Sequence, residues 1–194
     1  SQITLRMLDV KSDTAEEFAK SNTQIKTVRI EENGRIKEHM SFPYTPFEQI
    51  VEEDWEFSEV YEMLSETKFL FVFYRKRDGA YYLDSSMFWN MPNQILESRV
   101  KEEWLLYKNK IISGINFSIS KNHIANDLPK ASQTHIIHMR PHASKAAYLI
   151  DNIPYGNGVL SRDADRLPNG DWMTKQCFWL NKEYIEEIYQ SHQV

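Results

Sequence analysis

The chain has 194 residues, one cysteine and a formal net charge of −5. This length suits one globular domain with two lobes, and a single cysteine excludes a disulfide framework and fits a reducing cytoplasm. No apolar run has the length of a membrane span, so we expect no membrane partner. The acidic balance argues against a nonspecific nucleic-acid coat, but it allows a specific binder that gathers its cations on one face.

The first third of the chain predicts strands followed by an acidic helix. Residues 23–30 alternate polar with β-branched apolar side chains, which is typical of a half-buried strand. Asn33-Gly34 predicts a two-residue turn into a return strand over residues 35–42. Residues 47–67 predict a helix that carries eight acidic side chains and no Lys or Arg. We interpret these acids as a solvated face.

The rest of the chain predicts a central strand, a long helix and several short elements. The apolar run 68–74 has the length of a central strand, and Asp78-Gly79 turns it into a second hairpin. Helical spacing of apolar residues predicts a helix over 93–112. The remaining expectations are a loop over 118–132, a strand that ends at Pro141, a short helix over 146–150, a loop over 152–169, a strand over 176–180 and a last helix over 182–191 that Asn181 caps.

A basic turn is the clearest candidate for a binding surface. Pro141 lacks the N–H that a β ladder needs, so the strand ends there and the turn projects Arg140, His142 and Lys145 outward. No Asp or Glu occurs from residue 128 to residue 150. An Arg in such a turn can pair bidentately with the O6 and N7 atoms of guanine. A strand end whose cations are simply solvated is the alternative interpretation.

A second pattern has the shape of a nuclease metal site. Metal-dependent nucleases need carboxylates around Mg²⁺ and a Lys near the attacking water, usually as an acid followed by acid-x-Lys on one strand. Gln24-Ile-Lys26, with Glu17 upstream, follows this pattern, but Gln stands where the second acid belongs. Because Gln24 offers a neutral carbonyl, a divalent cation loses most of its local attraction.

Three other groups are weaker candidates for chemistry. Glu66-Thr-Lys68 matches acid-x-Lys formally, but we expect it to lie across the boundary between the acidic helix and the apolar strand. His135, His138 and His142 resemble zinc ligands, yet residues three apart on a strand, such as His135 and His138, point to opposite faces. Cys177 lies among large apolar residues, which predicts a small buried side chain rather than a nucleophile.

Two segments together resemble the MutH family. Ile136-Ile-His-Met-Arg140-Pro141-His142-Ala143, followed by Lys145-Ala146, is similar to the Ile-Arg-Pro-Lys-Ala-type segment of that family. Leu167-Pro168-Asn-Gly170-Asp-Trp172-Met-Thr-Lys175 resembles its later Leu-Pro-x-Gly segment, which also ends in an aromatic residue and a Lys. The family comprises a mismatch-repair nicking endonuclease and type II restriction endonucleases that cut at GATC. The stretch from Thr174 to Ile185 is similar to the restriction branch.

The resemblance implies the PD-(D/E)xK restriction-endonuclease-like fold, which is an α/β (α+β) mixed sheet with two lobes around a DNA cleft. It places Arg140, Pro141 and His142 on the loop that enters the major groove at GATC, with Lys145 beside them. The family usually has Lys at the position of His142, so a charge that is constant at neutral pH becomes conditional here.

The later segment adds the other DNA-binding residues that the resemblance implies. Trp172 falls near the aromatic residue beside the adenine, where the family senses methylation. Lys175 follows it and is expected to contact a phosphate. Arg166, on the loop before this segment, and Thr174, within it, complete the predicted DNA-binding set.

The catalytic acid-x-Lys of the family corresponds to Gln24-Ile-Lys26, and its first acid corresponds to Glu17 or a neighbour. The Lys is kept and the central carboxylate is lost, which implies a copy of the fold that retains DNA recognition without cleavage. We therefore expect residues 1–194 to form a single MutH-like DNA-binding domain with no intact catalytic site, no metal and no cofactor of its own. The parent enzyme would use Mg²⁺.

The start at Ser rather than Met favours the C-terminal half of a longer restriction enzyme located in the cytoplasm. The predicted partners are double-stranded DNA containing GATC and the catalytic domain of the same polypeptide, and the predicted role is allosteric. One alternative is an active Mg-dependent GATC endonuclease domain. The other alternative is a protein–protein interaction module that presents the acidic residues 47–67.

Overall fold

The computed structural model describes residues 18, 20–121 and 123–193. Its strands, in chain order, are β1 (Thr23–Ile30), β2 (Met40–Tyr44), β3 (Lys68–Arg77), β4 (Ala80–Trp89), β5 (Phe117–Ser120), β6 (His123–Asn126), β7 (Ile137–Pro141), β8 (Ala147–Ile150), β9 (Ile153–Gly156), β10 (Ala164–Arg166), β11 (Trp172–Thr174) and β12 (Gln176–Leu180). Its main helices are α1 (Phe47–Glu52), α2 (Glu59–Glu66), α3 (Lys101–Ser113), α4 (Leu160–Asp163) and α5 (Lys182–His192). This mixture of helices and small sheets confirms the predicted α/β class.

The chain divides into two compact units. Among the described residues, the first unit takes those up to His39, then Val60–Leu96, then those from Lys182 onward. Its sheet has the order β1-β3-β4, in which β3 is parallel to β1 and antiparallel to β4. β3 lies at the centre of the sheet, and its own side chains are buried on both faces, which confirms the prediction from its apolar run.

One helix covers the aromatic face of this sheet. Phe73 of β3 lies 4.7 Å from Tyr189 of α5 between ring centroids, and Trp89 of β4 lies 6.2 Å from Tyr184. The N–H of Lys182, at the start of α5, donates to Nδ1 of His39 at 3.0 Å and thereby satisfies one of the free donors of the helix end.

The second unit comprises Met40–Glu59 and Glu97–Asn181. It contains a sheet of order β2-β12-β7, a sheet of order β10-β11-β8-β9 and the β5-β6 hairpin. Helix α3 packs on the first of these sheets, where the ring of Tyr107 meets the ring of Phe178 edge-on at 5.5 Å between centroids. Both residues are buried, so this contact lies in the core of the unit.

The acidic segment is not the single helix that the sequence predicts. Helix α1 ends at Glu52, a 3-10 turn occupies Trp55–Phe57, and α2 begins at Glu59. Glu53 and Asp54 have extended backbone angles. Consecutive acids without a compensating cation repel one another along a helix, and the break buries Trp55 to 3% exposure.

Four further expectations change in the structure. The expected loop 152–169 contains β9, α4 and β10. The return strand after Asn33-Gly34 is reduced to one bridge between Ile30 and Ile36, because the following β2 pairs with β12 instead. The expected loop 118–132 contains the β5-β6 hairpin. The expected helix 146–150 is strand β8, which forms a ladder with β9.

The turn between β8 and β9 explains this last difference. Asp151 and Asn152 both have positive φ, 52° and 64°, and two such residues make the turn type that closes a tight hairpin. Ladder pairing then overrides the local helical preference of the alanines before Tyr148. No helix in the described part of the chain has the length and hydropathy that crossing a membrane requires.

Candidate nucleic-acid interface

The basic turn lies where β7 and β12 part. Arg140 pairs with Cys177 and Pro141 pairs with Gln176 in this antiparallel ladder. Just beyond the proline, the N–H of His142 donates to the carbonyl oxygen of Lys175 at 2.7 Å. Two basic segments that lie far apart in sequence are therefore joined at one end of a sheet.

Aromatic rings position two of the cations. The guanidinium carbon of Arg140 lies 5.5 Å from the ring centroid of Trp179, and the Nζ atom of Lys175 lies 5.0 Å from that of Tyr44. Arg140 remains exposed and Lys175 is half-buried. A cation over a ring keeps its charge while its stem loses freedom, so both groups are oriented before any ligand arrives.

Glu103 fixes the start of the strand that carries Arg140. Its carboxylate accepts hydrogen bonds from the N–H groups of His135 at 2.6 Å, Ile136 at 3.0 Å and Ile137 at 2.8 Å. The side chain is buried in α3 and is 7% exposed. The sequence offers no local signal for this contact, because it joins residues more than thirty positions apart.

Two residues of the β7-β12 ladder that the sequence singles out, His138 and Cys177, are buried. His138 is fully buried, and its Nδ1 contacts the Oδ1 atom of Asn181. The Nδ2 of Asn181 donates to the carbonyl of Thr134 at 3.0 Å, so this residue ties the end of β12 to β7 and to the segment before it. Cys177 is buried as predicted, and burial raises the pKa of its thiol to about 11.

A buried aspartate closes the loop that lies against the basic turn. The carboxylate of Asp163 accepts hydrogen bonds from Nε of Arg162 at 3.0 Å and from the N–H of Val159 at 2.8 Å. These bonds, that of Arg162 first, lower the pKa of Asp163 to about 2, with a smaller contribution from the nearby charge of Lys145. The carbonyl of Asp163 accepts the N–H of Lys175 at 2.9 Å. One residue therefore anchors both sides of the surface.

We expect Asp163 to make the stability of the folded chain depend on pH in the acid range. A carboxyl group whose pKa is lowered by folding stabilises the native state above its ordinary value of 3.8, and this contribution disappears as pH falls towards 2. Thermal unfolding between these pH values should show the loss. Arg162→Gln should move it to higher pH, because the main cause of the lowered pKa is removed. An unchanged acid profile in this variant would contradict the assignment.

The remaining predicted contacts lie on the sheet next to the turn. Arg166 is exposed on β10 and pairs with Trp172 of β11, which is half-buried and pairs in turn with Leu149. Thr174 is 3% exposed, and its hydroxyl accepts the N–H of Ala147 at 2.9 Å. The structure thus gives Thr174 a place in the support of the surface and leaves Arg166 accessible.

Tyr44 and Asp165 connect this sheet to β2. Asp165 accepts the N–H of Phe47 at 2.6 Å, and its hydrogen bond with Tyr44, together with burial as the larger cause, raises the pKa of the phenol. The ring of Tyr44 also lies under Lys175, so Tyr44 links the strand that carries Arg166 with the segment that carries Lys175. The sequence identifies neither Tyr44 nor Asp165 as part of this surface.

The nuclease-like pattern lies in the first unit. Gln24 and Lys26 are both half-buried on β1, where they pair with Phe69 and Phe71 of β3 and share one face of the strand. Glu17 lies outside the described residues. A neutral amide beside fully buried phenylalanines does not fit a hard divalent cation, which prefers charged oxygen ligands.

Comparison with known proteins gives the family. A family model described as DNA mismatch repair enzyme MutH matches residues 7–103, which is half of the chain. The chain belongs to the MutH family. It is also 31% identical over 190 residues to the type II restriction enzyme Sau3AI of Staphylococcus aureus. That alignment takes in 89% of this chain and 39% of the restriction enzyme, so the chain spans well under half of this relative's length.

The matched region clarifies the alternative acid-x-Lys pattern. Both Gln24-Ile-Lys26 and Glu66-Thr-Lys68 lie within the MutH match. Glu66 is the last residue of α2 and Lys68 is the first of β3, so this pair crosses an element boundary as the sequence predicts. The aspartate before it, Asp54, belongs to the second unit. In the described part of the chain, no group of three or more His, Cys, Asp or Glu side chains could hold a metal ion.

Proposed function

We propose that this chain is the DNA-recognition and regulatory unit of a type II restriction endonuclease, and that it binds duplex GATC without cutting it. The observation that carries the proposal is the hydrogen bond between His142 and Lys175, which joins two basic segments at the end of β7 and β12. The family of the chain and its similarity to a type II restriction enzyme support the same class of ligand.

The residues of this surface divide into two roles. Arg140, held over Trp179 and exposed, would pair with the O6 and N7 atoms of guanine in the major groove. Lys175 and the exposed side chains of Lys145 and Arg166 would contact phosphates, which fix the register of the protein on the duplex. His142 would add a phosphate contact when it is protonated.

Trp172 would lie against the adenine. It is half-buried between Arg166 and Leu149 in the sheet that adjoins the turn, so one part of its ring is accessible. A ring fixed in a sheet can pack against a base edge with little loss of side-chain entropy. Pro141 is the last residue of β7, so the backbone beyond the hydrogen bond of His142 leaves the ladder and can enter a groove.

The absence of cleavage rests on Gln24. Hydrolysis of a phosphodiester with Mg²⁺ needs charged oxygen ligands beside the Lys, and an amide replaces one of them here. This chain would therefore hold a target site while another domain cuts. In that arrangement, DNA bound to this chain changes the DNA affinity or the activity of the catalytic domain through a coupling free energy of about 1–3 kcal/mol.

A gel-shift titration tests recognition directly. The chain should retard a GATC duplex at lower protein concentration than a scrambled duplex, and both affinities should fall between about 50 and 200 mM salt, because phosphate contacts release counterions. Equal affinity for the two duplexes would refute recognition of GATC. Incubation with GATC plasmid and Mg²⁺ should leave the plasmid intact, and linear product would favour the active-endonuclease alternative.

The regulatory role needs the full-length enzyme. A short, uncleavable GATC duplex added in trans should change the rate at which that enzyme cuts a plasmid with one site. In the Arg140→Ala variant the same effect should need a higher duplex concentration, because this change weakens recognition of GATC by the chain. Stimulation or inhibition would each support linkage, whereas an unchanged rate would leave DNA binding without regulation and refute the allosteric role.

Gln24→Glu should create weak Mg²⁺ binding. The change restores a carboxylate beside Lys26 on the same face of β1, where a divalent cation gains a charged ligand. Isothermal calorimetry should show heat with this variant and none with the exposed control Gln190→Glu on α5. No heat with Gln24→Glu would mean that the site has lost more than one ligand.

A further inference from the structure

The charges of the second unit are divided unevenly along the sequence. From Trp104 to Ile150 the chain contains six Lys and Arg residues and one acid, Asp127, although the whole chain carries 28 acids and 23 basic residues. The basic turn occupies only the end of this stretch. The β5-β6 hairpin occupies its middle and has no place in the recognition surface described above.

Asp127 is occupied by contacts at the base of the hairpin. Its carboxylate accepts the N–H of Asn116 at 2.9 Å and the Nδ2 of the same residue at 2.7 Å, and it forms an ion pair with Lys110 at 2.6 Å. Partial burial alone would raise its pKa, but these contacts outweigh burial and lower the pKa below the ordinary value. The one acid of the stretch is thus neutralised and serves to fix the hairpin.

The hairpin base also contacts the strand that follows the basic turn. The ring of Phe117 in β5 lies 6.0 Å from the ring of Tyr148 in β8, edge-on at 78°. Strand β8 begins two residues after Lys145. The hairpin is therefore fixed on β8, the strand that follows directly after the basic turn.

The far end of the hairpin is exposed and basic. Ser120 pairs with His123 across the last rung, with its hydroxyl donating to the carbonyl of His123 at 2.9 Å. Lys121 lies in the turn, and Ser118, Ser120, Lys121 and His123 are all exposed. A rigid base with an exposed cation and hydroxyl groups at its end is suited to a phosphate backbone, which Ser, Lys and backbone N–H groups bind.

We propose that the β5-β6 hairpin is a second DNA-contacting element, which binds the phosphate backbone of the duplex outside the GATC target. This inference rests on the proposed DNA-binding function. Phosphate contacts carry no sequence information, so the hairpin adds affinity and salt dependence equally for target and scrambled duplexes. The recognition turn supplies discrimination, and the hairpin extends the bound length of DNA.

The test compares two duplex lengths, of about one and about three helical turns, both centred on GATC. Lys121→Glu should weaken binding to the longer duplex several-fold and reduce its salt slope by about one, with little change on the shorter duplex. Lys121→Arg should retain both properties, because it keeps the charge. The matched control is Lys37→Glu, an exposed lysine of the first unit, which should bind both lengths like the unmodified chain.

Each outcome separates the two proposals. If the unmodified chain binds neither duplex, the proposed function fails. If it binds both and Lys121→Glu has no effect on the longer one, the hairpin proposal is overturned and recognition by the turn stands. An equal loss on both lengths would also overturn it, because the contact would then lie within the target. A thermal unfolding midpoint unchanged by Lys121→Glu confirms that the compared proteins are folded.

Discussion

Glu103→Ala should lower the free energy of unfolding by about 3–5 kcal/mol, because it leaves the N–H groups of three consecutive residues without an acceptor, and those of Ile136 and Ile137 are buried. The carboxylate now satisfies His135, Ile136 and Ile137 at distances from 2.6 to 3.0 Å. Urea unfolding followed by tryptophan fluorescence would measure the loss. Glu103→Gln should lose less, since the amide keeps one oxygen as acceptor.

The control for this prediction is the preceding residue of the same helix. Glu102 is 68% exposed and its carboxylate lies 3.5 Å from Arg99, so Glu102→Ala should change the free energy of unfolding by no more than about 0.5 kcal/mol. Similar losses in the two alanine variants would mean that helix propensity or total charge, and not the contacts with the start of β7, determines the effect.

Arg140→Ala should reduce discrimination between GATC and scrambled duplexes by about 1–3 kcal/mol, which is a change of about 5- to 150-fold in the ratio of dissociation constants. The expected cause is loss of the bidentate pair with guanine. Arg140→Lys should lose much of the discrimination as well, because it keeps the charge but not the planar fork. Gel-shift titrations of both variants against both duplexes measure the ratio.

Arg99→Ala is the matched control for this experiment. Its side chain is 59% exposed in the same unit and pairs with Glu102, so the change removes one surface arginine away from the basic turn. Discrimination should be unaffected. If Arg140→Ala instead weakens binding to both duplexes by the same factor, Arg140 contacts only phosphate and base recognition must come from another residue.

The sequence predicts well where a single segment contains its own signal. The apolar run of β3, the Asp78-Gly79 turn and the helix predicted over 93–112 all appear where their local patterns place them. In the structure this helix is a short α-helical turn over Asn93–Ile95, a π-helical stretch over Leu96–Val100 and then α3. Pro141 also ends its strand as expected, because a missing N–H has the same effect in any surroundings. Each of these depends on covalent geometry or short-range periodicity.

The supports of the candidate site could not be predicted in this way. Asp163 and Asp165 look like ordinary surface acids of a polar loop, yet they bind backbone N–H groups at distances below 3 Å. Thr174, expected at the DNA surface, is buried against Ala147. The roles of Asp165 and Thr174 depend on partners that lie 118 and 27 positions away in sequence, and single-chain patterns carry no information about such pairs.

The spacing between Glu103's contacts and the recognition turn has an evolutionary consequence. Glu103 binds the N–H of Ile137, where β7 begins, and the proline at its end stops the ladder. One inserted residue between these points would rotate Arg140 to the face that Met139 now occupies, inside the core. Homologues that recognise the same DNA should therefore keep the length of this stretch, without insertion or deletion.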